Sequence, residues 1–206
     1  MRRCLLVLSV LLGGCFGGTP ETRYYSLRGE KLVEPRPGPQ GAPVALLDHF
    51  AIDDAYADDR VAYRREGHEL GFDPYSRWAG SSVAQVEDSV RDLLRAKGIF
   101  SDVRQPQPLG EGRSSYDLVV TGRVGRLEEV DLSEDEWEGA LDVELFLLDG
   151  KSRAVLVSTH FMKAEKAEKR NPRYVAEALG HLVSQAVDEF AQRVKPVIET
   201  RAHGAR

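Results

Sequence analysis

The chain has almost no sulfur. Its two cysteines, Cys4 and Cys15, fall within the first fifteen of 206 residues, and only two methionines accompany them. Beyond residue 15 no thiol remains for a disulfide or a cysteine metal site, so the fold must stand on its core alone. Basic residues are not in excess either. Against 28 Lys and Arg stand 33 Asp and Glu, which argues against the basic face that nucleic-acid phosphates require. After residue 15 no apolar run approaches the roughly 18 residues of a membrane-spanning helix. No Gly-rich loop ends in Gly-Lys-Ser or Gly-Lys-Thr, so ATP hydrolysis is not expected of this chain.

Signatures of catalysis and metal binding are equally sparse. His68-Glu69 begins the helix motif of zinc proteases, but Phe72 stands where the second histidine is required. The five histidines (His49, His68, His160, His181 and His203) are scattered. Gly80-Ser81-Ser82 lacks the second glycine of a nucleophile elbow, and helix capping accounts for the serines. The acidic run from Glu128 to Glu138 lacks the Asp-x-Asp-x-Asp-Gly order of a calcium loop and reads as a solvated hairpin loop. Lys163 to Arg170 mixes both charges and reads as an exposed connection, with contact to anionic headgroups as the alternative. No nucleophile, base and orienting group fall together. The reading is therefore no enzyme, no cofactor and no metal.

What is present begins at the N-terminus. Arg2 and Arg3 precede the apolar run Leu5–Leu12, and Gly13-Gly14 leads into Cys15. This is the order of a secretory signal. Eight helical residues rise about 12 Å, far short of a bilayer core of about 30 Å. The ending Leu12-Gly13-Gly14-Cys15 resembles the bacterial lipobox, which implies a diacylglycerol on the Cys15 thiol and cleavage just before it. Loss of residues 1–14 leaves 192 residues (206 − 14) and moves the formal charge from −5 to −7, with 26 basic against 33 acidic groups. That length suits one domain. The boundaries expected are 1–14 signal peptide, 15–23 lipidated tether, 24–199 folded domain and 200–206 flexible tail. Phe16-Gly17 follows the cysteine where an aspartate commonly signals inner-membrane retention, so outer-membrane sorting, facing the periplasm, is expected.

Along the mature chain, Tyr24–Leu27 suits a first strand, and Pro35, Pro37, Pro39 and Pro43 mark an extended connection. Val44, Leu46, Phe50 and Ile52 alternate as one side of a second strand, and Arg60–Arg64 makes a third. Residues 66–75, broken by Gly and Pro, read as irregular. Ser82 with Gln85 forms a capping box, Val83, Val86, Val90, Leu93 and Leu94 recur at helical spacing, and Gly98 suits a C-cap. Three long strands follow: Tyr116, Leu118, Val120 and Val124 in one, Leu141, Val143, Leu145 and Leu147 in the next. Asp149-Gly150 signals a tight turn into Val155, Val157 and Phe161. A last helix opens at Asn171-Pro172 and presents Val175, Leu179, Leu182, Val183, Ala186, Phe190 and Val194 on one side. This order predicts an α+β two-layer sandwich, a mostly antiparallel sheet with both long helices on one face.

The ordered set of lipobox, Tyr24-Tyr25-Ser26-Leu27, Asp59-Arg60-Val61-Ala62-Tyr63-Arg64 and Arg77-Trp78-Ala79 resembles the ABC-type transport auxiliary lipoproteins. The family often has proline after Trp-Ala, where this chain has Gly80-Ser81. The resemblance implies a lipid-anchored adaptor in a system moving lipids or other hydrophobic compounds between the inner and outer membranes. Its partners would be an MCE-type substrate-binding protein, a permease and an ATPase; association between copies is left open. The alternative is a carrier holding a lipid in its own apolar cavity. Tyr75, Arg77 and Trp78 are the candidate partner-binding cluster, because interfaces favour such residues. The competing account of Trp78 is a plug for the core where the first helix begins.

Overall fold

The computed structural model describes residues 20–29, 34–106 and 115–204, so the signal and Cys15 lie outside the described residues. In chain order the elements are β1 (Arg23–Tyr25), β2 (Val44–Leu47), β3 (Ala51–Ile52), β4 (Arg60–Arg65), β5 (Glu69–Trp78) and α1 (Ser82–Lys97). Then come β6 (Asp102–Arg104), β7 (Leu118–Asp131), β8 (Trp137–Asp149), β9 (Val155–Lys166) and α2 (Pro172–Gly204). The nine strands form one mixed sheet. Its long pairings, β7 with β8 and β8 with β9, are antiparallel, as expected of the three long strands. Its short ones are mostly parallel: β1 lies beside β5, and β2, β3 and β4 each lie beside β7.

β7 is the spine. One edge pairs with β8 along its whole length, from Leu118↔Asp149 to Asp131↔Trp137. The other edge is shared end to end by three short strands: β2 at Leu118–Val120, β3 at Arg123-Val124, and β4 at Glu129–Asp131. Both helices cover one face. α2 lies on β8 and β9, and α1 packs against α2 and β6. The whole stripe read on α2, from Val175 to Val194, is buried at 0–2 % exposure. On α1, Val86, Val90 and Leu94 are buried, with Val83 and Leu93 packed at the margin. Leu141, Val143, Leu145 and Leu147 of β8 meet them from below, as a period of two requires.

Several local expectations are corrected. α1 is capped one residue earlier than the capping box implies: the Ser81 hydroxyl accepts from Ala84 N, and Ser82 Oγ donates instead to the Tyr56 carbonyl. Gly98 does close the helix, at φ 61°. In β2 the buried side is Ala45 and Leu47, not Val44 and Leu46, because the strand breaks before Phe50 resumes the core. Of residues 66–75, read as irregular, 66–68 are a turn and 69–75 belong to strand β5. Pro74 is tolerated there because the β4 pairing is interrupted between Ala62↔Phe72 and Arg60↔Arg77, while Asp73 Oδ1 accepts from Tyr75 N and Ser76 N. The Asp149-Gly150 turn is wider than expected, with Arg153 N donating to the Asp149 carbonyl and Arg153 carrying the positive φ. Tyr116 precedes β7 and is exposed. Lys163–Lys166 continue β9 rather than forming a connection. α2 runs on through Gly204, so the polar end is helical.

The segment after β1 crosses both helices. Ser26 Oγ and Leu27 N both donate to Gln85 Oε1, and the Gln85 amide in turn donates to the Ala79 carbonyl. Arg28 pairs with Asp88 and Asp92 of α1. On the other side the Leu27 backbone presses on α2 at Gly180, where an added Cβ would lie 2.5 Å from the Leu27 carbonyl oxygen. Gly180→Ala ought to favour an isolated helix by up to about 1 kcal/mol. Here the obstacle is backbone, so we expect a net destabilisation of about 1–3 kcal/mol. Urea melts of the two proteins check this; an unchanged or higher midpoint would show that the crossing is loose.

Candidate functional site

The residues singled out in the sequence meet at the outer edge of the sheet. Parallel pairing sets Tyr24 beside Arg77 and Tyr25 beside Trp78. Side chains alternate along β5, so Ser76 and Trp78 turn inward while Tyr75 and Arg77 turn outward. Trp78 is 2 % exposed and belongs to the core cluster, next to the start of α1. It therefore does the core work that a large aromatic performs, and is not part of the surface in this structure. Tyr75 is 38 % exposed, and Arg77 donates from Nη1 to Asp59 Oδ1 at 2.6 Å. Sequence reasoning missed Tyr24, which is 66 % exposed on the same face. Only the strand register reveals it as a neighbour, because it lies 53 positions before Arg77 (77 − 24).

The acidic run is not the solvated loop that its composition suggests. Residues 128–131 are strand, and only 132–136 form the connection. Glu128 is fully buried, at 0 % exposure. Its carboxylate accepts from Arg64 Nε at 2.7 Å, Arg126 Nε at 2.5 Å and Tyr56 Oη at 2.6 Å. Burial alone would push this carboxyl up, but those three donors outweigh it and hold it below its ordinary value. A buried carboxylate with three donors, two of them cationic, is a structural knot.

Glu129, on the opposite face, is treated differently. It is 6 % exposed, and burial, the nearby charge of Asp131, its hydrogen bond with Asp131, and Asp73 together push it up to about 8. The Asp131 carboxylate is itself committed to Arg65 Nε, at 2.7 Å. At neutral pH Glu129 is thus mostly a neutral acid within the protein.

Among the described residues no three His, Cys, Asp or Glu side chains group to hold a metal. His49 is exposed beside Glu87, His160 contacts Asp142 Oδ1, and His181 contacts Glu165 Oε1. His68 lies exposed in the turn between β4 and β5. The space between helices and sheet is filled by Phe190, Leu94, Leu118, Leu141, Leu145 and their neighbours. Recesses occur at its margins. One of about 540 Å³ lies between the end of α1 and the later half of α2, lined by Lys97, Ile99, Asp188, Ala191, Lys195 and Ile198 among others. Among the described residues no helix is long and apolar enough to cross a membrane.

These features define an α+β domain with a filled core and an exposed aromatic edge beside its N-terminal entry. The chain belongs to the family of ABC-type transport auxiliary lipoprotein components, whose model matches residues 25–191. A crystal structure of a protein from Xanthomonas campestris is 20 % identical and superposes with a TM-score of 0.69, covering 89 % of this chain and 99 % of the other. A crystal structure of an uncharacterized protein is 15 % identical, with a TM-score of 0.63 and coverage of 85 % and 99 %. At such identities both matches speak to the fold. A comparison with curated proteins finds no match.

Two predictions follow from the buried groups. Removing Trp78 by alanine should cost about 3–5 kcal/mol of stability, read as a fall in the denaturation midpoint. An unchanged midpoint would contradict its place in the core. For Glu129 the folded pKa lies above the unfolded value of 4.5. The folded form therefore holds a proton that the unfolded chain releases, and stability falls as pH rises from about 4.5 through about 8. Glu129→Gln keeps the neutral shape. Its midpoint should match the native protein near pH 4.5 and exceed it, by an amount worth a few kcal/mol, at about pH 9. Parallel curves across that range would refute the assignment.

Proposed function

We propose that this protein is a lipid-anchored periplasmic adaptor of an ABC/MCE-type system that moves lipids or other hydrophobic compounds between the inner and outer membranes. The observation that carries the reading is a coincidence in one chain. A lipobox-like ending at Cys15 directly precedes a domain that matches the transport auxiliary family over residues 25–191. On this reading residues 1–14 are the signal peptide, 15–23 the lipidated tether and 24–199 the domain, whose last helix continues to Gly204. Cys15 carries the acyl chains, and Phe16-Gly17 directs the protein to the outer membrane. One acyl chain binds a bilayer only marginally, while two or more hold it firmly.

The domain acts by docking and not by catalysis. Its partners are an MCE-type substrate-binding protein with permease and ATPase subunits, which supply cargo binding and energy. The packed interior favours this over a carrier, which needs a large apolar hollow of its own.

Mass spectrometry of the mature N-terminus should show acylated Cys15 as the first residue. A chain beginning at Thr19 should still fold and bind the MCE-type partner in solution, yet fail to restore transport in cells lacking the protein. An unmodified Cys15 would end the lipoprotein reading. Full transport by the unanchored chain would end the adaptor reading.

A further inference from the structure

We propose that the outward face of the β1–β5 edge, carrying Tyr24 and Tyr75, rests on the bilayer that holds the Cys15 anchor, with both rings in the uncharged interfacial layer. The inference rests on the lipid anchor proposed above. Three observations place the membrane, and not another surface, against this edge.

The first is reach. Pro20, the first described residue, is five residues along from Cys15, a distance of at most about 18 Å. Tyr24 is nine residues from the anchor, within about 32 Å of it even if every residue is extended. β1 is the strand through which the anchored segment joins the body, so its outer face cannot travel far from the lipid.

The second is chemistry. Tyr24 and Tyr75 are 66 % and 38 % exposed, and share their face because Tyr24 pairs beside Arg77, two residues along from Tyr75. Tyrosine favours the boundary between water and hydrocarbon, where the ring is buried and the hydroxyl stays wet.

The third is charge. On the outward face Arg77 is paired with Asp59 at 2.6 Å, and Arg60, which lies opposite Arg77 in the register, is paired with Asp58 at 2.8 Å, so both guanidinium groups are already committed to carboxylates. An anionic headgroup gains nothing there, whereas zwitterionic headgroups and ring burial suffice. The contact need not be strong. A short tether presents the edge to the membrane at a millimolar effective concentration, so two rings can set the orientation of a domain that the acyl chains retain.

Hydroxyl-radical labelling of the full acylated protein in phosphatidylethanolamine/phosphatidylcholine vesicles tests this. Tyr116, at 37 % exposure and well separated in the fold, is the internal reference for Tyr75. We expect Tyr24 and Tyr75 to label at least threefold more slowly than Tyr116, equally with or without added phosphatidylglycerol and at low or high salt. Labelling in proportion to exposure, with Tyr24 fastest, overturns the proposal. So does protection that fades as the protein-to-lipid ratio is lowered, which assigns the edge to a second copy, or protection that appears only when partner subunits are added. Intact mass separates the two levels of failure. A protein without lipid on Cys15 fails the anchor reading, and an acylated one with freely labelled tyrosines fails only this inference. Tyr24→Ser with Tyr75→Ser should keep the melting temperature and the acylation. A label at Met162→Cys, on β9, should hold a single depth below the bilayer when both tyrosines are present and lose it in that double variant.

Discussion

The fold depends on how the two edges of β7 are used. β8 takes one edge in a single long antiparallel pairing, while β2, β3 and β4 divide the other among them. A strand buried between two neighbours must satisfy every backbone N–H and C=O along its length. Residues 44–65 do this in one pass beside β7, leaving it for a short 3-10 turn at Asp54–Tyr56 before returning as β4. The departure is pinned by Glu128. Its carboxylate draws in Tyr56 from that turn, Arg64 from β4 and Arg126 from β7 itself. A carboxylate deprived of those donors would be a buried, uncompensated charge, so the knot enforces one path for the chain.

Adjacent residues Glu128 and Glu129 show how far environment outweighs residue type. Alternation along the strand sends them to opposite faces. One meets two guanidinium groups and a phenol and stays ionised; the other meets burial and two further carboxylates and keeps its proton. Their contributions to stability have opposite pH dependence. Glu128 stabilises above its unfolded pKa and loses this on acidification through its lower folded value, whereas Glu129 costs stability as the solution becomes basic. Both read in the sequence as members of a solvated acidic loop.

What the sequence made legible was whatever local periodicity controls. The α2 stripe from Val175 to Val194, the inward residues of β8 and the Gly98 cap need only 3.6- or two-residue repeats and one left-handed position. What it hid depends on partners distant in the chain. β5 contains Gly71 and Pro74, which punctuate any local reading, yet a proline is harmless where the neighbouring pairing is interrupted. The buried side of β2 is decided by a break at residue 48 that serves β7, not by the residues of β2. Of the candidate cluster, Tyr75 and Arg77 are at the surface and Trp78 is inside, a division that alternation along an unrecognised strand could not supply. Tyr24 joined them only through a parallel register.

The crossing of residues 26–28 over both helices has a mechanical meaning. β1 is parallel to β5, so tension along the entering chain shears the three pairings from Arg23↔Ser76 to Tyr25↔Trp78 together instead of opening them one by one. Beyond them, the load passes to Gln85, Asp88 and Asp92 of α1, and to the contact with Gly180 of α2. The entry strand thus behaves as a stitched seam, not a hinge. A displacement at the N-terminus reaches the two helices that cover the sheet, and the domain moves as one piece with whatever its first residues are fastened to.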